Sequence, residues 1–271
     1  MTDWVDEDGL PASDVGVWTL EKHERLRKYV DSARAARRKF ANRTTYVDLY
    51  CGPGRSRVRE TGEFVDGSPL VAWEAGSRHG VQFAEFFLAD SDEAYLDAAR
   101  RRLESRGAKV RTFSGEAEAV VDRVIDALDP HGLHLALLDP FRLGDLPFSV
   151  IERLARVKHM DLLIHVSAMD LKRDLHNYLR TDGPKHLDRF APGWRDVVDT
   201  NQRPELVRVA IFEHWKARLK QLGTSANECV EAVENSKSSE LYWLVFVARH
   251  KLAHKLWSDI ANVSPQRRLF G

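Results

Sequence analysis

The sequence predicts an α/β domain: a mostly parallel seven-stranded sheet with helices on both faces, one helix ahead of the first strand and an insertion after the fifth. Three observations carry this. Short continuous apolar runs alternate with amphipathic stretches of ten to fifteen residues, the pattern of strands buried on both faces between crossover helices. The first run, residues 44–50, enters a glycine turn at Cys51-Gly52-Pro53-Gly54. The 271 residues are 43% hydrophobic and 30% charged, enough for a sizeable core.

The elements follow in order. Residues 1–16 lack periodicity and carry Gly9, Pro11 and Gly16, so a flexible acidic leader is expected. The main domain spans 17–262, and 263–271 is a tail. Apolar residues at three- and four-residue steps make 19–40 one helix, with Thr19 as its N-cap and Lys22 in its first turn. After strand 44–50 comes a long loop, 55–66, then a helix start at Gly67-Ser68-Pro69. Strands follow at 83–90, 109–113, 134–139 and 162–166, separated by helices at 92–106, 116–128 and 148–157. Gly107 and Asp129-Pro130 close the first two of those helices. Residues 168–203 are polar and rich in Asp, Arg, Pro and Gly, the composition of a lid. A helix at 205–222, a closing hairpin of 229–233 with 241–248, and a helix at 251–261 complete the chain.

Charge is uneven along the chain. Lys and Arg number 41, as do Asp and Glu, which excludes a tail-driven or histone-like nucleic-acid binder but permits a local basic patch. Residues 1–21 carry six acidic and no basic residues, whereas 22–59 carry twelve basic and three acidic. No apolar run approaches the ~18 residues of a membrane span, and the N-terminus has no apolar signal core. Two cysteines, Cys51 and Cys229, are too few for a disulfide framework, so a reducing cytoplasm is the expected compartment and no membrane partner is expected. His250 and His254 stand four apart without a third ligand, and read as ordinary histidines rather than a metal site.

In such a sheet the ligand edge is the carboxyl edge of the strands. Three turns there carry chemistry: Asp48 with Gly52 and Gly54, then Asp90, then Asp139-Pro140-Phe141. Gly52 and Gly54 let backbone approach a ligand. Asp90 offers two acceptor oxygens to ribose hydroxyls, 36 residues beyond Gly54 where dinucleotide folds use ~20. The turn has neither the third glycine of a nicotinamide site nor the Lys-Ser/Thr of a triphosphate loop, which favours a phosphate-free adenosine cofactor, S-adenosylmethionine being the common one. Plainer roles stand beside these. Asp48 also fits a turn cap, Asp90 a neighbour of the N-cap at Asp92, Asp139-Pro140 a strand stop, and Glu116 a helix-dipole partner. Cys51 reads as a small buried hydrophobe rather than a nucleophile.

Asp48-Leu-Tyr-Cys-Gly-Pro-Gly-Arg-Ser, Asp66-Gly-Ser-Pro-Leu, the Ala-Asp ending at Asp90 and Leu138-Asp-Pro-Phe resemble class I S-adenosylmethionine-dependent methyltransferases. More narrowly, together with the opening Trp18-Thr-Leu-Glu-Lys, they resemble the three-Cys-motif partner (TcmP) family over residues 17–260. The resemblance implies a Rossmann-like fold. It also implies cofactor contacts from Asp48, Cys51, Gly52, Gly54, Ser68, Asp90, Gly115 and Glu116. Asp139 and Phe141 match the Asp-Pro-Pro-aromatic motif that grips and stacks on a target amine in amino-methyltransferases, although this chain has one proline there. A three-cysteine protein is the implied partner.

The expected function is methyl transfer from S-adenosylmethionine, with Asp139 orienting or deprotonating the acceptor and Phe141 stacking on it. The acceptor is unidentified, a nucleic acid or nucleotide base being one class. Arg55, Arg57 and Arg59 alternate at the cleft mouth, continuing the basic run Arg34, Arg37, Arg38, Lys39 and Arg43. They are candidates for phosphate contact, with pairing to the acidic leader as the alternative. Asp170 and Arg173 are placed toward the acceptor by position alone. Two other classes remain open: a catalytically silent partner module on the same fold, and a nucleic-acid binder without methyl transfer.

Overall fold

The structure, a computed structural model, describes residues 4–180, 186–223, 230–234 and 240–262. Its main sheet contains strands β3 (Thr44–Asp48), β6 (Glu85–Asp90), β7 (Val110–Ser114), β8 (Leu133–Leu138), β9 (Met160–Ser167), β10 (Val230–Glu234) and β11 (Glu240–Val247). Their spatial order is β10-β11-β9-β8-β3-β6-β7. Strands β3, β6, β7, β8 and β9 pair in parallel, while β11 runs antiparallel between β9 and β10. This is a Rossmann-like α/β sheet. The first connection runs from β3 to β6 on one side, and the chain later returns to β8 on the other. The crevice between β3 and β8 is therefore the topological switch point, where ligands of open α/β sheets bind.

Helices cover both faces. One core holds α1 (Trp18–Ser32), α3 (Ser68–Ser77), α4 (Glu93–Ser105) and α10 (Lys251–Asn262) against the sheet through Leu26, Leu70, Leu103 and Trp257. The other packs α5 (Ala117–Ala127), α6 (Phe148–Arg156), α7 (Ala168–Leu179), α8 (His186–Phe190) and α9 (Pro204–Gln221) through Val120, Ile151, Leu175, Phe190 and Trp215. Because both faces are covered, the central strands read as unbroken apolar runs, which is why their positions were legible in the sequence.

Five expectations change. The single helix at 19–40 is two, α1 and α2 (Arg34–Phe40), parted at Ala33. There the Arg37 guanidinium takes the Val30 carbonyl from the last turn of α1. The N-cap of α1 is Val17, so Thr19 lies inside the helix, where it is buried. The acidic leader is folded: β1 (Trp4–Val5) and β2 (Pro11–Val15) belong to a second sheet of order β1-β2-β4-β5. The expected loop at 55–66 supplies the other two strands, β4 (Arg55–Val58) and β5 (Phe64–Asp66). The insertion expected as a polar lid contributes α7 and α8, whose Leu171, Leu175, Leu187 and Phe190 enter the core with Trp194. Its polar composition hid an amphipathic period. Cys229 and the tail 263–271 lie outside the described residues.

Candidate functional site

The carboxyl edge brings the predicted tips together. Gly52 takes φ +55°, and a Cβ there would meet nothing within 4 Å, so its backbone borders open space. Its N–H donates to Asp90 Oδ2 at 2.9 Å, joining the β3 and β6 tips. Asp90 Oδ1 accepts from the Asp92 N–H at 3.0 Å, and the Asp90 carbonyl accepts from the Gly115 N–H at 3.0 Å. Gly115 and Glu116 therefore sit beside Asp90. Burial raises the Asp90 carboxyl above its ordinary range, with the two backbone amides pulling the other way. Two N–H donors leave part of the acceptor capacity of this carboxylate unused.

Asp48 stands behind the loop rather than in it. The residue is 0% exposed; Tyr46 and Ser68 hydroxyls donate to Oδ2 at 3.0 and 2.7 Å, and the Tyr50 N–H to Oδ1 at 3.2 Å. Burial raises its carboxyl to about 7, against those hydrogen bonds. Asp48 and Ser68 thus pin α3 to the end of β3. A second pin is the Gly67 N–H, which donates to the Gly54 carbonyl at 2.7 Å, an approach so close that a Cβ on Gly67 would stand 2.9 Å from that carbonyl. Cys51 is buried, and burial pushes its thiol well above the ordinary value, so it is a hydrophobe here rather than a nucleophile.

The β8 tip is built differently. Asp139 receives the Lys22 ammonium of α1 on Oδ2, and the His165 Nδ1 of β9 lies 3.1 Å from Oδ1. Burial pushes the Asp139 carboxyl up, but Lys22 and then His165 outweigh it and hold the group below the ordinary range. Burial pushes His165 down to about 4 against the pull of Asp139, so its ring is neutral at neutral pH. His23 is pushed to about 3 by burial and by Lys22. Lys22 engages Oδ2 of Asp139, whereas Oδ1 faces a neutral imidazole whose Nδ1 makes no hydrogen bond. Phe141, 69% exposed, presents a bare ring beside it, with the Arg142 guanidinium 6.0 Å from the ring centre. Next to these lies a pocket of about 310 Å3 bordered by Arg142, Asp145, Arg173, Asn177, Tyr178 and His186. The Tyr50 hydroxyl, donating to the Asp145 carbonyl, ties that side to the glycine loop.

Sequence reasoning missed Lys22 and His165 as parts of the site. The legible signal was polarity in the wrong place: a histidine inside the apolar run of β9, one strand from Asp139. Other predicted residues are occupied elsewhere. Arg55 pairs with Asp6 and with Asp66 at 2.8 Å, and Arg57 and Arg59 reach Asp14 at 3.8 and 3.6 Å; Arg55 and Arg57 lie in the second sheet and Arg59 just past the end of β4. This is the alternative of pairing to the leader. Asp170 is buried and accepts from the Leu143 N–H at 2.8 Å and the Tyr178 hydroxyl at 3.2 Å, with Arg173 on its other oxygen. It fixes the turn after β8 from within. No group of three His, Cys, Asp or Glu side chains among the described residues is arranged to hold a metal. No helix among them is long and apolar enough to cross a membrane.

No protein-family model matches the chain, and no curated protein matches it. Solved structures do. Protein LPL1258 from Legionella pneumophila, of DUF519, is similar over 88% of this chain and 90% of its own, at 8% identity and a TM-score of 0.53. DszA carbon methyltransferase matches over 76% of this chain and 47% of its own, at 16% identity and 0.42. Magnesium protoporphyrin IX methyltransferase from Synechocystis, with bound cofactor, matches over 85% and 82%, at 11% identity and 0.37. At these identities the likeness is one of fold.

Proposed function

We propose that this chain is a class I S-adenosylmethionine-dependent methyltransferase. The observation that carries the reading is the Gly52–Asp90 pair: a positive-φ glycine facing open space, hydrogen-bonded to a carboxylate at the next strand tip, beside the switch point. A turn whose Gly52 backbone borders open space, with no phosphate-binding Lys-Ser/Thr, next to a carboxylate with spare acceptor capacity, fits an adenosine-bearing cofactor without phosphates. Asp90 would hold the ribose, Gly52 and Gly54 the methionine end, and Gly115 with Glu116 the adenine. When bound, the cofactor supplies an electrophilic methyl group.

The chain's own residues align the acceptor. Asp139, kept charged by Lys22, receives a donor hydrogen of the acceptor, and Phe141 offers it a flat face. Positioning of this kind is the protein's main contribution where the cofactor carries the reactive group. The narrower resemblance to the TcmP family supports a three-cysteine protein as partner, and rests on the Gly-Pro-Gly and Asp-Gly-Ser-Pro segments. One observation favours the second reading, a silent partner module on the same fold: the charge of Asp139 is already answered within the chain by Lys22.

Calorimetry with S-adenosylhomocysteine separates the two. The wild-type chain is expected to bind, Asp90→Ala to weaken binding by about 30-fold, as loss of a charged acceptor implies, and Asp139→Asn to leave it within about threefold. A folded wild-type chain that releases no binding heat at millimolar ligand overturns the enzymatic reading and leaves the module.

A further inference from the structure

The basic run of the sequence divides in the structure, and its two halves have different fates. The half at the carboxyl edge, Arg55, Arg57 and Arg59, is neutralised by Asp6, Asp14 and Asp66. The other half, on α2, lies where the chain enters β3, so it sits at the amino edge of the sheet. Arg34, Arg38 and Lys39 are exposed there and form no ion pair among the described residues.

Two other segments join them. Phe40, next to Lys39, packs its ring 5.2 Å from that of His159, which places the exposed Lys158 alongside α2. The guanidinium of Arg249 donates to the Ala155 carbonyl at 2.8 Å, which brings the start of α10, with its exposed Lys251, to the same edge. Two carboxylates of this edge, Asp129 and Glu152, are already taken by Arg43 at 3.6 Å and Arg156 at 2.8 Å.

We infer that this amino-edge ridge, Arg34, Arg38, Lys39, Lys158 and Lys251, binds the phosphate backbone of a nucleic-acid strand. Helix-end stabilisation accounts for Arg37 and engages one guanidinium nitrogen of Arg34, which donates to the Asp31 carbonyl at 3.0 Å. Arg37 donates to the Val30 and Val81 carbonyls and stacks on Phe83, whereas Arg38 and Lys39 make no hydrogen bond to any carbonyl among the described residues. Arg34 and Arg38 stand one turn apart, about 6 Å along the helix, so both reach one strand of phosphates. A protein partner would need an apolar centre, and among the exposed large hydrophobic residues only Leu252 lies in this region. Contacts from these cations to phosphates position a strand without reading its sequence. It is independent of the methyl-transfer reading, being at the other end of the strands, about 20 Å away.

The test is the salt dependence of binding to a fluorescein-labelled 20-nucleotide single-stranded RNA. Wild type is expected to bind with affinity falling steeply with salt. Arg38→Gln/Lys39→Gln should reduce the slope of log K against log salt by about 1.4, at roughly 0.7 for each phosphate no longer neutralised. Lys158→Gln should add about 0.7 to that reduction, with circular dichroism showing each variant folded. Cofactor binding is expected to stay unchanged in these variants. Three outcomes overturn the proposal: no RNA binding at low salt, RNA binding abolished by Arg142→Gln but untouched by the α2 variant, or displacement of the RNA by polyglutamate at equal charge, which would make the ridge a site for an acidic protein.

Discussion

The β6 and β8 tips each end in an aspartate a few residues from the switch point, yet they are electrically opposite. Asp90 meets only backbone N–H groups, and burial leaves its carboxyl raised. Asp139 meets a buried lysine and a histidine, and its carboxyl is lowered. Asp48, at the β3 tip, belongs with Asp90: its partners are hydroxyls and an amide, and it is raised to about 7. A carboxylate held by neutral donors keeps acceptor capacity for a ligand. One held by cations is fixed in place and charge. The difference leaves Asp90 with free acceptor capacity, puts Asp48 in the scaffold behind the loop, and fixes Asp139 by its pairing with Lys22.

The largest expected effect comes from breaking the cationic tip. Lys22→Met removes the charge facing Asp139 while keeping most of the side-chain volume. It leaves a carboxylate 17% exposed with only a neutral imidazole beside it. Breaking a buried pair from one side costs about 3–5 kcal/mol. Urea denaturation at pH 7 should show a loss of that order, and Lys22→Met/Asp139→Asn should recover most of it. A single variant as stable as wild type would mean that the two tips do not differ as described.

Next in size is a pH effect at Asp48. The folded carboxyl keeps its proton up to about 7 and the unfolded one loses it near 3.8, so the folded state binds more protons in that window. Stability contributed here therefore falls as pH rises from about 4 to above 7. Asp161, raised to about 6 by burial beside Tyr29, acts in the same direction. His23 and His165, lowered to about 3 and about 4, act oppositely, since the unfolded chain takes up protons below about 6.5. The readout is thus a difference between two curves. Asp48→Asn should gain roughly 2–4 kcal/mol on wild type between pH 4 and 8. Parallel curves would show that Asp48 is already ionised in the fold.

What the sequence disclosed follows the same division between local and distant chemistry. Strands β3, β6, β8 and β9 announce themselves because burial on both faces makes them continuous apolar runs. Gly52, Asp90 and Asp139 announce themselves because strand tips in a parallel sheet have a fixed relation to the ligand edge. Lys22 meets Asp139 across 117 residues of chain, and no local pattern encodes such a pairing. The second sheet was hidden for a related reason. Its strands are two to five residues long, too short to show a period, and they are held by Arg55 and Arg102 to Asp6 and Asp8. The leader's acidity and the basic run after residue 22 were both visible; that one half of the run answers the leader and the other does not required the fold.

The smallest expected effect sharpens the comparison most. Asp90→Asn keeps an amide oxygen able to accept from Gly52 or Asp92, and removes a carboxylate that burial disfavours. One lost acceptor and one relieved charge nearly cancel, so the stability change at pH 7 should stay below about 1 kcal/mol. Asp139→Asn instead leaves Lys22 buried without a counter-charge and should cost several times more. Measured together in one buffer, the pair fixes which aspartate the fold needs. Equal losses would mean that Asp90 carries the loop as Asp139 carries α1, and its carboxylate would no longer be the one left for a ligand.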